Sequence, residues 1–252
     1  MRGIGSLRGL ATLAGVLLGW EALTWAGVAP SYVLPAPSAV LAAAWDLGPE
    51  LLAHAAATFG VALAGFLLGA AIGIANAVTL VRSAAARRWL LPLLIGGQAA
   101  PAFALAPILT LWLGFGVAPI LVMTVLVVYF PVTASFYDGL RRADADLLAM
   151  ARVMGADDRA LLWRLRAPAA YPELGSGLRL AAVFAPIAAV IGEWTGGASQ
   201  GLGYLMEWAN GMVRAELTFA ALLTLALFGV AFHRAVSALT RRLAFWAPES
   251  TL

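Results

Sequence analysis

Hydrophobic positions in this chain neither alternate nor form narrow stripes; they run on in long blocks. A helix needs about 20 mostly apolar residues to cross a bilayer. Leu10–Ala29 is such a block, broken only by Glu21, and Ala55–Val81 carries no charge. Trp89–Tyr137 is also uncharged and is long enough for two spans, with Gly114-Phe115-Gly116-Val117-Ala118-Pro119 as the natural break. Glu173–Glu193, with Arg179 near its start, and Leu217–His233 complete a set of six predicted spans. The pattern predicts an all-α fold, a polytopic bundle of six transmembrane helices.

Shorter elements lie between the blocks. Pro35-Ala36-Pro37-Ser38 opens Ala39–Ala53, where Leu, Val and Trp mix with Asp46 and Glu50 as in an interfacial helix. Gly48-Pro49 should kink or split it. Gly65, Gly69 and Gly73, extended by Ala77, make a small-xxx-small face for close helix approach, within one subunit or at a dimer seam. The chain divides into a first span plus external helix (1–54) and a core (55–252).

Charge adds orientation. Only 12% of residues are charged against 62% hydrophobic, too few to solvate a water-soluble exterior. All 16 basic residues are Arg. Arg2 and Arg8 precede span one; Arg82, Arg87 and Arg88 follow span two; Arg141, Arg142, Arg152, Arg159, Arg164 and Arg166 follow span four. Arg234, Arg241 and Arg242 follow span six, and the remaining inter-span segments hold only Arg214. Positive residues stay inside, so both termini are expected in the cytoplasm. No Arg stripe with interleaved aromatics suggests nucleic acid. A cleaved signal over Met1–Ala29 would leave an odd span count, and Glu21 interrupts its apolar run.

The missing residue types exclude chemistry. Without Lys there is no P-loop and no Schiff base. Without Cys there is no disulfide or thiolate metal site, and His54 and His233 alone cannot form HExxH.

Asp138–Tyr171 is far longer than a bundle turn needs. Leu147, Leu148, Ala151 and Met154 fall on one helix face; Gly155 sits where a helix ends with positive φ; Asp157 is a good N-cap for a second helix carrying Leu161, Leu162 and Leu165. That helix should stop before Pro168. Such a module either packs on its own helix ends or offers its stripe to a partner's groove. Among polar residues in the spans, Asn76 reads as a helix contact and Gln98 as a pathway group or cross-helix hydrogen bond. Glu193, beside Trp194, reads as a pathway group, a solvated interfacial acid or a partner of Arg214. Glu21 and His54 read as interfacial. Tyr204–Met212 reads as a short external amphipathic helix.

The loop resembles the coupling loop of permease subunits of bacterial ABC importers: EAA, three residues, Gly, nine residues, Ile, one residue, Leu-Pro. Ala149-Met150-Ala151 occupies the triplet, Gly155 the glycine with Ala156 after it, Leu165 the isoleucine, Ala167 the leucine and Pro168 the proline. Ala149 stands where the pattern has its acid, and Met150 where it has its first alanine. Pro101-Ala102-Phe103-Ala104-Leu105-Ala106-Pro107 with Leu113–Gly116, and Tyr32–Val40, are similar to nitrate/sulfonate/taurine-type permeases. Gly192-Glu193-Trp194 with Gly201–Met206 and Asn210 is closest to the branch assigned to thiamine precursors such as hydroxymethylpyrimidine.

The resemblance implies a type I importer permease in the bacterial inner membrane, working as a homodimer with two ABC ATPase subunits and an external solute-binding protein. It implies no enzyme site or cofactor on this chain, with ATP and Mg on the partner ATPase. Loop 138–172 would be the ATPase-coupling segment, and Gln98, Glu193, Trp194 and Asn76 the pathway candidates. The solute would be a pyrimidine thiamine precursor or, alternatively, a sulfonate, taurine or nitrate. The absence of a charged cluster in the spans favours a neutral heterocycle. A remote reading remains: Gly197-Ala198-Ser199-Gln200-Gly201 matches GxSxG, and Ser199 with His233 could suggest an intramembrane serine protease. Arg counting puts those two residues on opposite sides of the bilayer.

Overall fold

The computed structural model describes residues 2–99 and 101–246, and leaves aside the side chains of residues 2–10, 13, 99 and 102. The Arg2 and Arg8 side chains, and the last six residues of the predicted core, therefore lie outside the described residues. The described elements are helices: α1 (Arg2–Trp25), α2 (Pro37–Asp46), α3 (Gly48–Arg82), α4 (Ala84–Ala99), α5 (Ala102–Leu113), α6 (Val117–Arg141), α7 (Ala145–Val153), α8 (Asp158–Ala160), a π-helical stretch (Leu161–Arg166), α9 (Ala167–Ala169), α10 (Tyr171–Thr195), α11 (Leu202–Gly211) and α12 (Ala215–Leu243).

Four of these, α3, α6, α10 and α12, are long and apolar enough to cross a membrane. A fifth candidate is α4 with α5, bent by 106° at its break, and so a broken span or a re-entrant loop. The 24 residues of α1 give about 36 Å, enough length for one more crossing. The Gly114 break is where the glycines predict it, at φ 78° and 120° for Gly114 and Gly116. The bend before it is an addition to the predicted pattern: Pro101 has no N–H to continue α4.

The predicted interfacial helix also differs. It splits at Leu47, but its second half joins span two without a break, making α3 35 residues long. That is about 52 Å, well beyond the ~30 Å hydrocarbon thickness, so one end of α3 projects past the bilayer.

Helix α6 is the hub, packed against α3 on one side and α10 on the other. The Gly65-Gly69-Gly73 face serves this internal contact. A Cβ at Gly69 would stand 2.6 Å from Val128 Cγ1, and one at Gly73 2.7 Å from the Tyr129 carbonyl. On the other side, Gly177 meets the Pro131 carbonyl and Gly192 meets Ile120. Without side chains between them, backbones approach closely, and dispersion replaces the hydrophobic driving force that lipid does not supply.

Two apolar clusters mark the ends of the bundle. Leu80, Leu140, Leu162, Ala170 and Leu174 gather where α3 and α6 finish and α10 begins. Leu51, Ala55, Leu202, Leu205, Met206 and Leu217 gather at the opposite end, under α11. Arg82 and Arg141 sit at the first end. The last turn of α12, with Arg241 and Arg242, reaches it too, since Gly175 faces Thr240.

Candidate functional site

Three regions carry the residues singled out by sequence. The first is the module after α6, at the Arg-rich end. Asp144 caps α7 by accepting hydrogen bonds from the N–H groups of Asp146 (2.8 Å) and Leu147 (3.3 Å). Gly155 adopts φ 88°, and the Ala156 N–H returns to the Ala151 carbonyl at 3.0 Å, closing the helix end. Asp157 caps the next helix, accepting from Ala160 N–H at 2.7 Å. The helix–Gly turn–helix reading stands, with two corrections. The second helix does not stop before Pro168; it passes through a π-helical stretch, Leu161–Arg166, and Pro168 lies inside α9. The wider π turn accommodates the residue that lacks an N–H. The apolar stripe is also split differently. Leu148 is buried and Ala151 half-buried, while Leu147, Met150, Val153 and Met154 point outward, Val153 being 89% exposed. Leu161, Leu162 and Ala167 anchor the module to the bundle; Ala149 and Gly155 are exposed, and Ala156, Leu165 and Pro168 half-buried. The flanking ion pairs are long and weak, Arg152–Asp158 at 3.7 Å on the surface and Arg142–Glu173 at 4.0 Å with Glu173 half-buried.

The second region is the far end, around Glu193. The sequence allows a solvated acid or a partner of Arg214, and the structure shows neither: Glu193 is 3% exposed, and Arg214 pairs with Glu216 at 3.3 Å. Glu193 Oε1 accepts from the Thr58 hydroxyl (2.7 Å) and Oε2 from the Gly203 N–H (2.7 Å). Thr58 Oγ1 in turn accepts from Leu202 N–H at 2.7 Å. His54 is not merely interfacial; its Nδ1 accepts from Gly201 N–H at 3.0 Å, and its ring stacks on Tyr204. Trp194 Nε1 donates to the Gly203 carbonyl at 2.9 Å. The network ties the first half of α3 and the end of α10 to the first turn of α11. Gly201, at φ 133°, and Gly203 leave room for the carboxylate, since a Cβ at either would run into Glu193. Glu21 likewise has a structural partner set, accepting from Ser38 N–H (3.0 Å) and the Ser38 hydroxyl (2.6 Å), which ties α1 to α2. Thr58 gives no signal in the sequence, because one Thr in an apolar helix commonly bonds its own backbone.

The third region is a cleft of about 510 Å³ between α4, α6 and α10, lined by Gln98, Pro101, Val127, Phe130, Pro131, Ala134, Ser135, Leu180 and Phe184. Gln98 lies here; Asn76, half-buried on α3, is not among the lining residues. The protease pair is far apart. Ser199 follows α10, whereas His233 Nδ1 lies 3.2 Å from the Arg179 carbonyl. Arg179 precedes the end of α10 at Thr195 by 16 residues, about 24 Å of helix. No proton passes between groups so separated.

A bundle of long apolar helices around a glycine-packed hub, with a capped and structured module at its Arg-rich end, is a multi-pass membrane protein. The chain belongs to the family of binding-protein-dependent transport system inner membrane components, whose model matches residues 65–245. It is 42% identical over 231 residues to a probable ABC transporter permease protein of Haemophilus influenzae, covering 91% of this chain and 94% of that one. It is 33% identical to the formylaminopyrimidine transport permease protein ThiX of Halalkalibacterium halodurans (85% and 86% covered). It is 29% identical to the putative aliphatic sulfonates transport permease protein SsuC of Bacillus subtilis (96% and 88% covered). Among solved structures, the inward-facing MetNI methionine ABC transporter shares the fold at TM-score 0.60 and 18% identity, covering 79% of this chain and 96% of that one. The fold is that of type I importer permeases: this chain is a transport subunit of the inner membrane, not an enzyme, in a family whose partners are ATPases and binding proteins.

Proposed function

We propose that this chain is the permease of an ATP-driven importer of a small heteroaromatic solute, a pyrimidine thiamine precursor, and that it acts as a homodimer with two ATPase subunits and one external binding protein. The observation that carries the coupling role is the outward stripe Leu147, Met150, Val153 and Met154 on a helix capped at both ends. A preformed apolar helix face fits a groove on a partner. In this reading α7 seats in the ATPase, which holds ATP and Mg. Ala149, Met150 and Ala151 touch the groove, Gly155 and Ala156 form the joint, and Leu165 and Pro168 transmit the thrust to α10. Nucleotide-driven closure then rocks the spans between inward- and outward-facing states as rigid bodies. The Arg-rich end is cytoplasmic and α11 faces the binding protein. Glu193 and Trp194 hold the outer gate, Gln98 lies on the pathway, and Asn76 makes a contact between helices.

The solute assignment rests on the 33% identity to ThiX and on the absence of charge in the cleft. The test of coupling is co-purification. Met150→Asp and Val153→Asp should abolish recovery of the ATPase with the permease, without changing the melting temperature of the isolated permease, because both side chains are exposed. Full ATPase recovery in both variants would refute the docking role.

A further inference from the structure

The cleft between α4, α6 and α10 reaches the middle of the spans: Phe130 is central in α6 and Phe184 in α10, with Ser135 and Leu180 toward the Arg-rich end. Two features argue against lipid on this face. The α4–α5 backbone is broken beside it, at Pro101, and irregular backbone at membrane depth is tolerated only against protein or a water-filled cavity. The Gln98 amide is exposed here, and an amide facing hydrocarbon without a partner is costly. Broken helices beside a mid-membrane cavity are the usual setting of solute sites in transporters.

The lining specifies what fits. Phe130 and Phe184 supply two aromatic faces. Gln98 supplies an amide donor and acceptor, and Ser135 a hydroxyl. Pro131 has no N–H to bond the Val127 carbonyl four residues back, so a further acceptor lies in the lining. No charged side chain is present among the lining residues. Arg179, next to Leu180, turns away to bond the Ser176 hydroxyl at 2.8 Å and the Thr240 hydroxyl at 3.2 Å. An anion would enter unpaired, which a low-dielectric site penalises heavily.

We infer that this cleft is the membrane-depth solute site, and that it takes an uncharged planar heteroaromatic ring, sandwiched by Phe130 and Phe184 and bonded along its edge by Gln98, Ser135 and the Val127 carbonyl. The volume suits a one- or two-ring solute. Sulfonates and nitrate are excluded by the same lining. The inference rests on the transport reading and adds a site and a basis for selection.

The experiment uses the permease–ATPase complex in lipid nanodiscs, without binding protein, at pH 8. Binding of radiolabelled formylaminopyrimidine is measured by equilibrium dialysis, with taurine as the anionic comparison. Saturable pyrimidine binding and no taurine binding are expected. Gln98→Ala and Phe184→Ala should each weaken binding about tenfold, the scale of one lost stack or edge contact. Phe184→Trp should retain binding and Phe184→Leu should not, which separates ring stacking from packing. Co-purified ATPase reports that each variant is folded. A complex that assembles but binds no pyrimidine, binds taurine equally well, or is indifferent to these substitutions overturns the site while leaving the permease role intact. A chain that assembles with no ATPase overturns the transport reading itself.

Discussion

At the scale of single residues, Glu193 shows how a buried acid is accommodated. Both of its oxygens accept hydrogen bonds, from Thr58 and Gly203, and Thr58 passes the connection on to Leu202. Removing the carboxylate leaves the Gly203 N–H without a partner and the Thr58 hydroxyl with only the His54 carbonyl at 3.3 Å, and an unsatisfied buried group costs about 1–3 kcal/mol. Glu193→Ala should therefore lower the melting temperature of the purified permease clearly, and Glu193→Gln less, because its amide oxygen still accepts one bond. Equal, near-zero shifts for both would mean the network is not holding α11. The sequence marks Glu193 as unusual, but two of its readings, a solvated acid and a partner of Arg214, do not hold. Its partners Thr58 and Gly203 lie 135 and 10 positions away, and no local pattern joins them. Gly155 is the opposite case: its φ of 88° is readable in the sequence because few other residues end a helix that way.

At the scale of elements, the α3–α6 seam decides whether the bundle closes. Gly69 faces Val128, whereas Gly60, on the same helix, would have nothing within 4 Å of an added Cβ. Gly69→Leu should cost about 3 kcal/mol, because the added atoms must push Val128 aside in a close-packed contact. Gly60→Leu should be neutral or slightly stabilising, since a helical glycine with free space gains from losing its backbone freedom. Thermal unfolding of both variants checks this, and similar losses would argue against a seam. The four-residue spacing of small residues is legible in the sequence; whether it meets a helix of its own subunit or of another copy is not. Helix α7 behaves similarly. Its glycine turn and the Asp157 cap of the helix that follows are readable from residue types, whereas its own cap, Asp144, and the face it turns outward emerge in the structure, where Leu148, Leu161 and Leu162 are drawn into the bundle.

At the scale of the whole molecule, the two ends differ. One gathers Arg82, Arg141, Arg241 and the α7 module; the other gathers α11 and the glycine loops. If the Arg-rich end is inside, orientation follows from the charge bias acting during insertion. The chain has no cysteine, so single sites can be labelled without background. Ala85→Cys, exposed at the start of α4 between Arg82 and Arg87, should react with an impermeant maleimide only after cells are opened, and Met212→Cys should react in intact cells. The reverse pattern would invert the topology and remove the handle from the ATPase.

What the amino-acid order determined alone was what local physics controls: the apolar blocks, the breaks at Gly114 and Gly155, the Asp157 cap after the glycine turn and the break near Gly48. Each depends on residues within one or two turns of each other. The bend at Pro101, the burial of Glu193, the joining of His54 to Gly201 and the cleft beneath Phe184 were decided only in three dimensions. They arise where helices distant in sequence converge, and hydrogen bonding and close packing there select among several arrangements that the hydrophobic pattern permits equally.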